Sequence, residues 1–178
     1  MQIKAPIVVY IVHHPDCDEA KQLATQLFHW FRLGDFAGDA SAAGLPVYYR
    51  RTLSGRALQP AIQWDEAELN VVIVLVDHRM VAEQAWREAI VALVGMISVQ
   101  QSTLDQRQSL LLPVALHTSF YQMGPLYDNF NPVRLLTMAE EQKQGTLRRA
   151  VTEAIARNLL AKEKGGNHST LNVFLSHA

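Results

Sequence analysis

The sequence is poor in cysteine and has no long apolar run. Its single cysteine, Cys17, excludes an intrachain disulfide and any metal site of the CxxC type, and it favours a reducing compartment. The longest apolar runs, 71–76 and 90–97, fall far short of the roughly 18 residues that a membrane span needs. The N-terminus also lacks the charged-then-apolar layout of a signal peptide. We therefore expect a soluble, cytoplasmic protein that has no membrane partner.

The sequence also has no large excess of positive or negative charge. The chain has 16 Lys and Arg residues against 17 Asp and Glu residues, which gives a formal net charge of −1. Without a basic stripe, the sequence gives no reason to expect a nucleic-acid partner. The patterns GxGxxG, GxxxxGKS/T, GxSxG and HExxH are absent, which argues against the dinucleotide-binding, phosphate-loop, hydrolase and zinc-peptidase classes that carry them.

What the sequence does contain is an alternation of short apolar runs with amphipathic segments. The apolar runs predict strands because they are rich in Val, Ile and Leu and too short for helices. The predicted strands are 7–12, 45–50, 69–76, 110–116 and 133–138, and the predicted helices are 16–33, 81–100 and 139–162. This alternation predicts an α/β fold, a flavodoxin-like three-layer sandwich with a five-stranded parallel sheet in the order 2-1-3-4-5 and helices on both faces.

Local features refine this prediction. Asp16 and Glu19 form a capping-box-like start for the first helix. Pro46 favours an edge position for the second strand, and residues 52–66 are predicted to form a long connection. The helix at 81–100 is apolar nearly all round, so we expect it to pack against a partner as well as against the sheet.

The C-terminal residues 165–178 do not fit this closed set of strands. Their glycines are typical of a linker. Residues 173–177 (VFLSH) match 9–13 (VYIVH) in pattern, which allows two interpretations: a sixth strand of this sheet, or the first strand of a following, similar domain. We favour the second interpretation. The chain then divides into one domain at 1–164 and a linker with the start of a following domain at 165–178.

The closing hexapeptide VFLSHA resembles the opening strand of a Toll/interleukin-1 receptor (TIR) domain. Residues 7–162 are similar to that family in layout. They begin with a strand and a helix, continue with a second strand and a long loop, and then place a tryptophan and an acid on the helix after the third strand. The resemblance implies a TIR-like signalling and interaction module of a bacterial immune (anti-phage) protein, regulatory and associating with itself or with other TIR domains.

The same resemblance implies an alternative function. In TIR domains that act as enzymes, a glutamate on the helix after the third strand cleaves the nicotinamide–ribose bond of NAD, commonly four residues after a tryptophan. Here Trp86 is followed at that distance by Ile90, whereas Glu88 is nearer and Glu83 precedes the tryptophan. Glu88 is therefore the catalytic residue implied for an NAD hydrolase, with NAD or a related nucleotide as ligand. The alternative is that both glutamates are ordinary solvated helix residues.

A physical argument from the predicted sheet selects polar residues at one edge. Ligands of open parallel sheets bind outside the carboxyl ends of the strands. We expect an acid/base or nucleotide site there, because histidine titrates near neutral pH and arginine binds phosphate through two N–H groups. The candidates are His13, His14, Asp16, Asp18, Arg50, Arg51, Asp77, His78, Arg79, His117, Thr118 and Ser119.

Other interpretations apply to the same residues. Strand ends turn polar wherever a chain leaves the core, so Asp16 fits a helix cap and His13 fits a hydrogen-bonded structural residue. A metal site would use the His and Asp residues, although their spacing matches no recognised ligand pattern. A phosphorylated receiver domain would use Asp77, although the fifth strand, VRLLTM, lacks the lysine that such a domain needs.

Overall fold

The computed structural model of the protein describes residues 4–33, 44–102 and 108–165. Strands and helices alternate along these ranges. The strands are β1 (Ala5–His13), β2 (Val47–Arg50), β3 (Thr52–Ser54), β4 (Ala57–Gln59), β5 (Ala67–Val76), β6 (Gln108–Ala115) and β7 (Val133–Arg134). The helices are α1 (Asp18–Leu33), α2 (His78–Ala82), α3 (Gln84–Ser102), α4 (Gly124–Asn129) and α5 (Glu140–Gly165), with a 3-10 helix at Thr118–Gln122.

Five strands form one parallel sheet in the order β2-β1-β5-β6-β7. Numbered among themselves along the chain, these strands run 2-1-3-4-5, which confirms the predicted flavodoxin-like order. β1 lies between β2 and β5, with Val9 opposite both Val47 and Val71. The predicted edge position of the second strand is also confirmed, because β2 ends the sheet.

Two apolar layers cover the sheet, one on each face. Val8, Tyr10 and Val12 of β1 belong to a core that includes α3, α4 and β4. Val9 and Ile11 belong to a second core formed with α1 and α5. A parallel sheet needs cover on both faces because its strands are apolar on both. The predicted three-layer sandwich is therefore confirmed.

Buried polar groups anchor the chain just before β5. The Tyr10 hydroxyl donates to the carbonyl of Gln63 (3.2 Å) and accepts from the amide of the same residue (3.3 Å). The Asn70 side-chain amide donates to the carbonyl of Trp64 (3.0 Å). Because β1 and β5 are apolar on both faces, alternation alone does not fix which face each side chain takes. These bonds help to fix it.

The predicted connection at 52–66 is wrong in part, because it contains an antiparallel hairpin of β3 and β4. Gly55 turns the hairpin with a φ of 61°, a conformation that residues with a Cβ rarely adopt. Leu58 is buried in the core, whereas its two neighbours in β4 are exposed. Each strand has only three residues, which is too short to give a clear alternation in the sequence.

Other boundaries differ from the prediction as well. α1 begins at Asp18, and the carbonyl of Cys17 accepts a hydrogen bond from the Lys21 amide (2.9 Å). The predicted cap at Asp16 is therefore wrong. The helix after β5 is broken into α2 and α3 at Glu83, whose ψ of 120° is extended. The fifth strand of the sheet, β7, is shorter than predicted.

The predicted linker and following strand lie outside the described residues, apart from Gly165 at the end of α5. Among the described helices, none combines the length and the apolarity that crossing a bilayer requires.

Replacing Gly145 by alanine is expected to stabilise the fold. Gly145 is exposed within α5, and a Cβ added there meets no atom within 4 Å. Alanine therefore restricts the unfolded chain without a clash in the folded one. We expect the free energy of unfolding, measured by urea denaturation, to rise by roughly 0.5–1 kcal/mol. The matched control is Gly55→Ala, which should lose stability because of its φ of 61°; a gain in both variants would contradict this account.

Candidate functional site

The carboxyl ends of β1, β5 and β6 surround an open cleft of about 280 Å³, which we call the edge cleft. It lies at the edge of the sheet where the sequence predicts a ligand site. Of the predicted residues, the structure brings six together there, and Cys17, Glu19 and Leu116 join them. The lining consists of Asp16, Cys17, Asp18, Glu19, Asp77, His78, Arg79, Leu116 and His117. The three unpredicted residues closely follow β1 and β6, and that position is the signal that identifies them.

Asp77 follows β5 and is only 2% exposed. Its Oδ1 accepts hydrogen bonds from the backbone amides of Arg79 (2.6 Å) and Met80 (3.1 Å), so the side chain caps α2. The other oxygen, Oδ2, is buried from solvent, and the Cys17 thiol is a hydrogen-bonding group beside this carboxylate. Asp77 is thus a fixed, buried carboxylate next to the edge cleft.

Cys17 lies in the turn between β1 and α1 and is buried. Burial raises the pKa of its thiol. A hydrogen bond from the Ala20 amide lowers this pKa, and the negative charge of Asp77 and a hydrogen bond to its carboxylate raise it again. The thiol therefore remains protonated near neutral pH. It is a weak hydrogen-bond donor and a poor nucleophile in this state.

His14 has both ring nitrogens engaged and is 2% exposed. Nδ1 accepts from the Asp16 amide (3.2 Å), which assigns the proton to Nε2 in the neutral ring. Nε2 then donates to Glu83 Oε1 (2.9 Å), and the ring contacts Trp86 with centroids 5.4 Å apart. His14 therefore joins the end of β1 to the break between α2 and α3, and it does not line the edge cleft.

His13 is also 2% exposed. Its Nδ1 lies 3.0 Å from the carbonyl oxygen of His14 and donates to it, and its ring meets the edge of Tyr49. Burial lowers the pKa of His13; the hydrogen bond to the His14 carbonyl raises it, and the charge of Arg51 lowers it again. His13 is thus a neutral, buried residue in the folded protein near pH 7.

The two arginines at the end of β2, Arg50 and Arg51, lie apart from the edge cleft. Arg50 is 6% exposed. Its guanidinium lies over the ring of Tyr10 (4.8 Å to the centroid) and donates to the carbonyls of Tyr49 (2.9 Å) and Ala61 (3.1 Å). Its burial lowers its pKa. Arg51 is exposed. Neither arginine belongs to the lining, so of the three predicted arginines the edge cleft includes Arg79 alone.

Residues after β6 shape the remaining side of the edge cleft. His117 caps the 3-10 helix, because its Nδ1 accepts a hydrogen bond from the Ser119 amide (3.1 Å). The same nitrogen lies 3.0 Å from the Ser119 hydroxyl. The rings of His78 and His117 are in contact, with centroids 5.6 Å apart and planes tilted by 60°. Ser119 and Thr118 are not among the lining residues.

Glu88 faces the hairpin instead of the edge cleft. Its Oε2 pairs with Nε of Arg56 (2.6 Å), and its Oε1 accepts from the side-chain amide of Gln84 (2.8 Å). The catalytic role of Glu88 stays a prediction. Of the two glutamates, Glu83 is the one that reaches the end of β1, through His14.

Carboxylates outnumber cations around the edge cleft. Glu19 forms an ion pair with Lys143, whose ammonium also lies 2.9 Å from Glu140. The other charged lining residues are Asp16, Asp18, Asp77 and Arg79. The cleft is therefore acidic when its histidines are neutral. Within 4–33, 44–102 and 108–165, no group of three or more His, Cys, Asp or Glu side chains is arranged to hold a metal ion.

The sheet order and the cleft at its carboxyl edge define the chain as a flavodoxin-like α/β domain. Comparison with protein-family models, with curated proteins and with solved structures found no match for it. The residues of the chain itself must therefore carry the functional argument.

The lowered pKa of His13 predicts a loss of stability in mild acid. The unfolded chain, with a pKa near 6.5, binds a proton more readily than the buried ring. The stability that the neutral, buried His13 contributes is therefore complete above about pH 6.5. It declines as the pH falls toward the lower pKa that His13 has in the folded protein. Urea unfolding at about pH 7.5 and 5.5 tests this. His13→Asn keeps a donor for the His14 carbonyl and should lose less stability between these pH values; an equal loss in both proteins would contradict the prediction.

Proposed function

We propose that the domain is a TIR-like signalling and interaction module of a bacterial immune (anti-phage) protein, which regulates that protein by associating with itself or with another TIR domain. Two features support the proposal: the resemblance of VFLSHA to the opening strand of a TIR domain, and the flavodoxin-like strand order. The observation that carries the self-association is the outer surface of α3.

The middle of the outer surface of α3 is apolar. Val91 is 49% exposed and Met96 is 46% exposed, and Ala92 and Gly95 between them are exposed as well. The sequence has no charged residue from 89 to 102. We call these four residues the α3 face; they form one stripe because positions four apart lie together on a helix.

A second copy of the domain suits the α3 face. Two identical uncharged faces meet without like-charge repulsion, and a two-fold dimer uses the same patch on both subunits. A Cβ added at Gly95 would meet no atom within 4 Å, so a second helix has room to approach closely. Burying Val91 and Met96 in this way removes apolar surface from water, which favours association.

Substitutions on the α3 face are expected to weaken association of the purified domain. Val91→Glu places a charge in the centre of the contact, so the dimer dissociation constant should rise roughly tenfold or more. Sedimentation equilibrium over a range of concentrations measures this constant. Leu160→Glu is the matched control, because Leu160 is 56% exposed on α5. The self-association proposal would be contradicted if the wild-type domain stays monomeric, or if Leu160→Glu raises the dimer dissociation constant as much as Val91→Glu does.

One observation favours a second candidate function, the hydrolysis of NAD or a related nucleotide. Glu83 lies at the carboxyl edge of the sheet, where His14 holds it and Trp86 contacts the same histidine. The side chain of Glu83 is 53% exposed, so a ligand has access to it. Because an acid and a tryptophan lie close together here, the arrangement supports Glu83, rather than Glu88, as the catalytic acid of an NAD hydrolase.

Release of nicotinamide from NAD tests this second candidate. If the domain is an enzyme, Glu83→Gln should reduce turnover by roughly a hundredfold or more, because the acid that acts on the bond is removed. Glu88→Gln tests the residue that the sequence predicts in the same assay. Glu141→Gln, at an exposed position of α5, serves as the control and should leave turnover unchanged. No nicotinamide release by the wild-type domain would rule the alternative out.

A further inference from the structure

We propose that His14 is an acid-sensitive switch, which opens the turn between β1 and α1 when its ring takes up a second proton. This inference requires neither self-association nor hydrolysis of NAD. It starts from the position of the ring between two separate parts of the chain, the Asp16 amide on one side and the Glu83 carboxylate on the other. The neutral ring with its proton on Nε2 satisfies both partners.

A second proton changes the two hydrogen bonds of the ring in opposite ways. Nδ1 of the neutral ring accepts from the Asp16 amide at 3.2 Å, but both nitrogens of an imidazolium ring carry N–H groups. Two N–H groups would then face each other, so the hydrogen bond to the Asp16 amide is lost. The bond from Nε2 to Glu83, which is 2.9 Å long, becomes charge-assisted and therefore stronger.

The protonated ring stays with Glu83, because the backbone on that side is held in place. Glu83 lies at the break between α2 and α3. Its amide donates to the carbonyl of Arg79 (3.0 Å), and its carbonyl accepts from the amide of Arg87 (3.1 Å). Both helices therefore fix the position of Glu83, and the ring gains an ion pair there when it is charged.

The turn between β1 and α1 is the side that yields. Its remaining hydrogen bond, from the Cys17 amide to the His14 carbonyl, is long at 3.4 Å, and Pro15 and Asp16 are exposed. Little packing therefore opposes a movement of Asp16 away from the ring. Asp16 and Cys17 line the edge cleft, so protonation of His14 reshapes one wall of that cleft.

Charged groups of both signs lie on the elements around the ring. Glu83 is hydrogen-bonded to the ring and supplies the negative charge that an imidazolium needs. Burial lowers the pKa of His13, and a positive charge on His14 also lowers it, so His13 stays neutral when His14 takes up its proton. The titratable and charged residues on these elements are His13, Asp16, Cys17, Asp18, Arg51, Asp77, Arg79, Glu83 and Arg87.

An NMR titration of the full chain between about pH 7.5 and 5.5 tests the proposal, because histidine ordinarily titrates in this range. The ring nitrogen signals of His14 show which nitrogens carry a proton, and the amide signal of Asp16 shows whether that amide is hydrogen-bonded. As the pH falls, we expect Nδ1 to gain a proton and the Asp16 amide signal to move upfield with the same midpoint. Both changes should reverse when the pH is raised.

His14→Gln keeps a donor for Glu83 but cannot take up a proton, so its Asp16 amide signal should stay in place over this pH range. His13→Asn is the matched control and should show the same movement as the wild type. If His14→Gln does not fold, as judged by circular dichroism, the two midpoints in the wild type decide. The proposal is overturned if the ring gains its proton while the Asp16 amide signal stays in place, if the ring remains neutral throughout, or if His14→Gln shows the wild-type movement.

Discussion

The pairing of β1 with β5 is the interaction on which the rest of the structure depends. The strands run side by side from Ala5 opposite Ala67 to His13 opposite Leu75, and nearly all of their side chains are buried. Each buried Val, Ile or Leu contributes roughly 1.5–3 kcal/mol, but only if both faces of the sheet are covered. Helices must therefore lie on both sides, and the crossovers that make the strands parallel supply them.

The same pairing creates the edge cleft. Because β1 and β5 end at one edge, the polar residues that follow them meet there, and most of their hydrogen-bonding groups serve the turns. His14 accepts the Asp16 amide, and Asp77 accepts the first amides of α2. What these turns leave exposed is the pair of acids at the start of α1, Asp16 and Asp18. The cleft is therefore negatively charged because of side chains that are not used to cap the turns and helices of the fold.

Particular residues show how far prediction from the sequence reaches. The apolar run at 69–76 predicts β5 because it is long and rich in Val and Ile. Alternation with helices predicts a parallel sheet, and the number of five strands favours the flavodoxin-like order. The hairpin does not follow, because its strands are too short for periodicity. Which way the Glu88 side chain points depends on how α3 is rotated about its axis, and the burial of Trp86 and Ile90 fixes that rotation. The ion pair of Glu88 with Arg56 therefore depends on tertiary packing.

The sequence by itself determined the class of the fold, the order of its strands and the edge at which polar residues gather, because these depend on local patterns of apolar residues and on their sequence along the chain. Only the tertiary structure decided which of those residues share one cleft. Distances between Asp77, Cys17 and His117 arise from three separate strands, and the burial that occupies His13, His14 and Arg50 with backbone carbonyls or neighbouring side chains exists only once the layers have packed.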